Sequence, residues 1–367
     1  MFLALKEIKK ERKKFSLMMM LVALISFLVF FLLGLAYGLA ESNKTAIDQW
    51  KAKGILMSEE ANGNIYASTV NYKTYLEYDE LTAAPINVSR TVAYLKSDSV
   101  ARKRMNVVFM GIDFSSILAP QLVAGTYPSN LNELVISQSL EKEQHISLGD
   151  TLLISHSGLE YSVVGIASSA KLSTQPVIYT SLEMASPQML VREELQSALF
   201  INKEHPPTTI SAIVFQEMPE EVKGEYNQLI TIDAFIEALP GYLAQKLTFG
   251  MMISFLIGIA VIVLSIFMYI ITIGKKEIYG IMKIQGISNS YISQSVILET
   301  FFVTVVGLVV GMIVAIVSGR LMPMSIPFEI SIALYSLSAI LIILMSILGA
   351  IFSVRSIMKI DPLDALR

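Results

Sequence analysis

The chain has 367 residues, 53% hydrophobic and only 16% charged, where a soluble domain carries about 25% charged residues; the composition argues against an ordinary soluble enzyme. A formal net charge of −3 offers no basic face for nucleic acid. With no cysteine and three histidines, disulfides, thiolate zinc sites, a cysteine nucleophile and a histidine metal cluster lose their basis.

Residues 1–14 form a basic amphipathic segment holding Lys6, Lys9, Lys10, Arg12, Lys13 and Lys14. The run Phe15–Ala40 then has 26 residues without a charge. At about 1.5 Å per residue it crosses a hydrocarbon core of about 30 Å. It is longer than the roughly 7–15 apolar residues of a signal peptide, so 15–40 is expected to be a retained transmembrane helix. Three further apolar runs place helices at 247–274, 296–319 and 330–354, the 296–319 run broken only by Glu299. Lys and Arg orient them: twelve lie in 1–14, 275–295 and 355–367, against Arg320 alone in the link 320–329. The positive-inside rule then puts both termini and the 275–295 segment in the cytoplasm of a multi-pass cell-membrane protein, with 41–246 and the link outside.

The 41–246 block holds 15 basic and 24 acidic side chains, net −9, and is long enough to bury its own core. Val107-Val108-Phe109-Met110 and Leu134-Val135-Ile136 read as short buried strands. Thr151–Ile154 and Tyr161–Gly165, separated by Ser157-Gly158, read as a hairpin. Pro206-Pro207 marks a turn or linker. The fold class is therefore an α-helical membrane protein with four transmembrane helices plus one α/β extracytoplasmic domain between helices one and two.

No catalytic constellation appears. Gly274-Lys275 has no glycine five residues upstream, so there is no phosphate-cradling loop. His145, His156 and His205 read as surface or turn residues. No cofactor and no resident metal are expected, and the chain is read as a non-enzyme.

Two stretches carry functional signals. Lys275–Gln285 suits a short amphipathic helix, with Ile278, Ile281, Met282 and Gln285 on one side, Lys276, Glu277 and Lys283 on the other, and Gly286 as its C-terminal cap. Such a helix either sits in a groove of a cytoplasmic partner or lies on the lipid surface. In helix one, Phe27, Phe30, Phe31, Gly34, Tyr37, Gly38 and Glu41 share one side, and the glycine pair permits close approach of another segment in lipid. With Met251 and Met252 at a similar depth on helix two, these residues outline a pocket for a flat amphiphile. Gly307 and Gly311 of helix three are expected to serve packing. Glu299 is expected to act as a structural cap or interhelical bond, although intramembrane carboxylates often mark function.

The order of one helix, a large outer domain and three helices resembles the MacB/FtsX-like permeases of ABC transporters. The resemblance rests also on Glu277–Ser288, similar to that family's cytoplasmic loop, on the tail Asp361–Arg367, similar to its Pro-x-x-Ala-Leu-Arg ending, and on Gly149-Asp150-Thr151 with Tyr161–Gly165. Within the family, Leu3–Ile8, Gly34–Leu39, Met251-Met252, Met322-Pro323-Met324 and Ile326-Pro327-Phe328 resemble the HrtB-type heme-exporter permeases. Ala170–Val177 departs from that pattern, carrying neither the tyrosine nor the histidine some of these permeases have there.

The resemblance implies a permease subunit of an exporter driven by a separate ATPase, as a homodimer in a 2:2 complex. Glu277, Ile278, Ile281, Lys283 and Gly286 would contact the ATPase. Phe27, Phe31, Gly34, Tyr37, Gly38, Glu41, Met251 and Met252 would bind a membrane-partitioning amphiphile such as heme. Two other classes stay open: a mechanotransmitter controlling an outer-surface partner without moving solute, and a permease that senses or detoxifies antimicrobial peptides.

Overall fold

The computed structural model describes residues 7, 9–97, 103–155, 159–185, 208–323 and 326–358. The tail motif 361–367, His156, His205, the proline pair 206–207, the Ser157-Gly158 turn, Met324 and most of the 3–8 opening lie outside those residues. Two compact units form, one spanning Leu39–Gln245 and the other combining Met1–Gly38 with Lys246–Arg367.

The chain opens with helix α1 (Arg12–Gln49). Strands β1 (Gly54–Ser58) and β2 (Val70–Asn71), helix α2 (Tyr72–Tyr75) and strands β3 (Ala83–Leu95), β4 (Met105–Ile112), β5 (Leu122–Gly125) and β6 (Glu133–Ser137) follow. Next come α3 (Gln138–Gln144), β7 (Thr151–Ile154), β8 (Glu160–Ala167), β9 (Lys171–Leu172), β10 (Gln175–Ser181), β11 (Thr209–Ile210), β12 (Ala212–Phe215), β13 (Asn227–Thr231) and α4 (Ile232–Ala238). The helices α5 (Tyr242–Ile273), α6 (Lys276–Ile284), α7 (Asn289–Arg320) and α8 (Ile332–Met358) follow among the described residues.

In the α/β unit the main sheet runs β13-β1-β12-β3-β4-β10-β6-β8-β5. It is mixed, because β4 pairs with β10, and β6 with β8, in parallel. The long β3 organises it: residues 83–86 pair with β12, 87–93 with β4 and 93–95 with β7. The β7–β8 hairpin has the register Thr151↔Ser162, Leu152↔Tyr161 and Leu153↔Glu160.

Both faces of the sheet are covered. Along β4, Val108, Met110 and Ile112 enter a core shared with Ala46, Ile47 and Trp50 at the end of α1 and Phe235 of α4. Val107 and Phe109 enter a second core with Leu140 of α3. A strand buried on both sides reads as a continuous apolar run, which is why the sequence of β4 shows no alternation. His145 ends α3 with φ +56° and is exposed, as a turn residue would be.

The Ala170–Val177 stretch is the β9–β10 hairpin. Ser173 and Thr174 both take left-handed conformations, φ +50° and +67°, as a two-residue turn between twisted strands requires. Neither is glycine, so the conformation is held from outside. The Ser173 N–H donates to the Asn43 carbonyl at 3.0 Å, and the Lys171 N–H donates to Thr45 Oγ1 at 2.7 Å.

In the helical unit, α1, α5, α7 and α8 are each long and apolar enough to cross a membrane. Helix α7 meets α1 at two glycines. A Cβ on Gly307 would fall 2.6 Å from Val22 Cβ, and one on Gly311 would fall 2.7 Å from the Phe27 nitrogen. The Tyr335 hydroxyl of α8 donates to the Phe30 carbonyl at 2.8 Å, with the two rings stacked at 5.0 Å. Replacing Gly311 with valine is expected to cost about 1–3 kcal/mol by overpacking, read as a lowered melting midpoint in detergent. The control is Gly258→Ala on α5, where nothing lies within 4 Å; it is expected to stay within about 0.5 kcal/mol of wild type.

Candidate functional site

Two regions of the helical unit gather the residues singled out by sequence. The first is α6. It ends in a Schellman motif: Gly286 takes φ +85°, its N–H bonds the Lys283 carbonyl and the Ile287 N–H bonds the Met282 carbonyl, each at 3.0 Å. Lys283 stands in the last turn, where a cation suits the helix dipole. Ser288 then caps α7, accepting from the Tyr291 N–H. No slack therefore separates the two helices.

The faces of α6 differ from the expected pattern. Tyr279 is buried, and Met282 packs with Ile287 against the Phe15, Met18 and Val22 cluster. Ile278, Ile281 and Ile284 are left exposed as a ridge. Met282 thus leaves the side assigned to it with Ile278 and Ile281, because the cluster under α1 accepts a long flexible side chain there. The Tyr279 phenol is pushed above the ordinary tyrosine range by burial first, and then by the carboxylates of Glu299, Glu7 and Glu11.

The second region is the face of α1 toward the link after α7. Phe27 and Phe31 stack at 5.4 Å, and Phe31 meets Phe328 at 5.8 Å. A Cβ on Gly34 or on Gly319 would collide with the Phe328 ring. Gly38 faces the backbone of Pro327–Glu329, with the Pro327 oxygen 2.7 Å from where its Cβ would be. The Glu329 N–H donates to the Gly34 carbonyl at 3.1 Å. The glycine pair of α1 therefore admits an extended segment of the same chain, and the space beside Gly34 is filled by Phe328.

The remaining assigned residues lie elsewhere. Glu41, in the α/β unit, pairs with Lys44 at 3.3 Å. Met251 and Met252 on α5 are exposed, while Ile253, Leu256 and Ile257 of that helix pack toward Val29, Phe30 and Leu33. Sequence reasoning missed Phe328 as the filler of the glycine notch. Its signal was present: it is the one aromatic in the 320–329 link, next to Pro327.

Residues 15–214 match the family model of the MacB-like periplasmic core domain, and residues 250–362 match that of the FtsX-like permease C-terminal region. Over its full length the chain is 25% identical to a Staphylococcus haemolyticus protein described as hemin transport system permease HrtB, covering 99% of it. It is 26% identical, over 99% of that protein, to the one so described from Staphylococcus epidermidis (strain ATCC 12228). The solved periplasmic region of MacB from Actinobacillus actinomycetemcomitans aligns with 50% of this chain and 90% of its own, at 12% identity and a TM-score of 0.33. The extracellular domain of the ABC-type transporter YknZ aligns with 49% and 98%, at 13% identity and a TM-score of 0.32.

The Phe328 notch makes a sharp test. Gly34→Ala alone is expected to cost about 1–3 kcal/mol through the clash, and Phe328→Ala about 3–5 kcal/mol through the cavity. Combined, the two should cost less than their sum, since the methyl then enters vacated space. Thermal unfolding of the four chains in one detergent measures the cycle.

Proposed function

The chain belongs to the MacB/FtsX family of ABC-transporter permeases, and on that premise we propose that it works as a homodimer with a separate ATPase to expel a membrane-partitioning amphiphile, with heme as the leading substrate. The observation that carries the ATPase contact is the exposed Ile278-Ile281-Ile284 ridge on a helix stopped firmly at Gly286. An apolar ridge on a short helix fits a groove on a partner. The distribution of Lys and Arg supports placing α6 and both termini in the cytoplasm. ATP-driven closure of the ATPase pair would displace α6, and packed helices respond by switching between discrete arrangements rather than by smooth deformation.

Heme is supported by the full-length likeness to proteins described as hemin transport permeases. It is flat, largely apolar and partitions into membranes. Its ring would be received by Phe27, Phe31, Gly34 and Gly38, and entry there exchanges the Phe328 ring for the ligand. Net affinity is then the difference between two ring contacts, which keeps it low enough for release. Tyr37, on the same helix, would supply a phenolate as an axial ligand type.

The purified chain alone should hydrolyse no ATP, and with its ATPase it should copurify as a 2:2 complex. Ile281→Glu should release the ATPase while membrane insertion stays intact; ATP turnover by the isolated chain, or an unaffected complex, sinks the contact.

Titrating hemin into the complex should give a saturable Soret shift. Tyr37→Ala should alter that spectrum and lower heme tolerance in cells. An unsaturable shift, together with unchanged tolerance in a deletion strain, removes heme and leaves the permease assignment standing.

A further inference from the structure

Where α5 passes into α6, Lys275 is buried, its side chain 4% exposed. Its ammonium lies 2.5 Å from the Glu7 carboxylate and 3.3 Å from that of Glu299, whose side chain is 1% exposed. The Phe15 ring stands 5.4 Å away on a third side. Three ionisable side chains from three separate segments thus meet in a largely buried cluster: the segment preceding α1, the base of α6 and the first third of α7.

Neither α6 nor the core explains this choice of residues. Lys275 is the N-cap of α6 and makes no side-chain cap bond. A cation at a helix N-terminus opposes the helix dipole, so the short helix gains nothing from it. Burying such a cluster of ionisable groups also costs desolvation that the ion pairs only partly return, and apolar replacements of such triads commonly fold as well or better. Among the described residues, Glu299 Oε1 and the nearby Ser295 hydroxyl are buried without a hydrogen-bond partner, so the ion pairs leave part of the cluster's polar capacity unused. What a directional ion pair gives that apolar contact does not is one fixed arrangement of the segments it joins.

We propose that Lys275, Glu7 and Glu299 are positioning residues for energy coupling: they clamp the segment before α1 and the base of α7 to the base of α6, so that displacement of α6 moves all three as one body. The inference rests on α6 being the ATPase contact. It adds that the push enters α1 through Glu7 and α7 through Glu299, and not only through the short α6–α7 turn.

The test uses the full chain with its ATPase in lipid nanodiscs. Because the sequence has no cysteine, two introduced cysteines are the only ones in the chain; it is labelled before assembly and diluted with unlabelled chain, so that each complex holds one label pair. Gln285→Cys at the exposed end of α6, off the isoleucine ridge, and Lys10→Cys on the exposed side of the N-terminal segment serve as spin-label positions. In the wild-type background the label separation should be the same in the nucleotide-free and vanadate-trapped states. In the apolar triple variant (Glu7→Leu, Lys275→Met, Glu299→Leu) the ATPase should stay bound and hydrolyse ATP within about twofold of wild type, as non-contacting sites behave independently. Trapping should nevertheless change the separation of the two labels.

Should the triple variant fail to accumulate, charge exchange decides: Lys275→Glu alone uncouples the labels, and adding Glu299→Lys restores their common movement. Labels that part in wild type, labels that stay together in the triple variant, or an exchange pair that restores nothing would each overturn the clamp. Failure of the ATPase to bind the wild-type chain is a different result, and it overturns the reading of α6 together with this one.

Discussion

Two glycines on α7 set how closely that helix approaches α1, and the helical unit is arranged around this contact. In lipid, helices gain little from hiding apolar surface, since the surroundings are as apolar as the side chains; they associate through close packing instead. Gly307 and Gly311 let α7 rest on the backbone and small side chains between Met19 and Phe27. With that distance fixed, Thr300 and Thr304 of α7 are buried, and the Thr300 hydroxyl is satisfied by the Val296 carbonyl of its own helix. Tyr335 then closes the other side by donating to the Phe30 carbonyl.

Helix α1 also serves the α/β unit. It runs for 38 residues without a break, about 57 Å at 1.5 Å per residue, nearly twice the hydrocarbon thickness of about 30 Å. Its last turns carry Ala46, Ile47 and Trp50 into the larger core of the sheet, with Trp50 stacked on Phe235. Its polar groups hold the β9–β10 hairpin in a left-handed turn that Ser173 and Thr174 would not choose alone. The hairpin that departs from the HrtB-type pattern is therefore a structural contact with α1, and its lack of tyrosine or histidine bears on that packing before it bears on any ligand.

Much of this was legible in the sequence because lipid imposes a one-dimensional signal. A helix surrounded by hydrocarbon excludes charge for its whole length, whereas a helix on a soluble core keeps a wet face and interrupts the run. The β7–β8 hairpin was readable for a similar reason, since its turn residues and β-rich runs are local. The C-cap at Gly286 was readable because few residues other than glycine take a positive φ at that position. What stayed hidden depends on contacts between distant segments. The strand order about β3 joins residues more than a hundred positions apart, as in Pro85↔Ile213. The glycines at 34 and 38 announced a close approach but not which segment makes it. The partner is an extended stretch of link, which carries no helical periodicity to be recognised. Glu299 announced a bond, but Lys275 and Glu7 are 24 and 292 positions away from it, and only the fold brings them together.

On the proposed reading, the tightness of the α6 region bears on how force from a separate ATPase would enter the chain. Such force does work only if the surface that receives it cannot yield locally. A helix of nine residues is too short to be stable by itself, so an isolated α6 would absorb the force by fraying. Here its C-terminus is closed by the Schellman bonds at Gly286 and Ile287, and the next residue already caps α7. Its inner edge is fixed by Tyr279 and Met282 in the α1 cluster, and its base is fixed by the buried ammonium of Lys275. The isoleucine ridge is left as the exposed apolar side, so the part of α6 proposed as the ATPase contact is joined at its ends and inner edge to the surrounding helices.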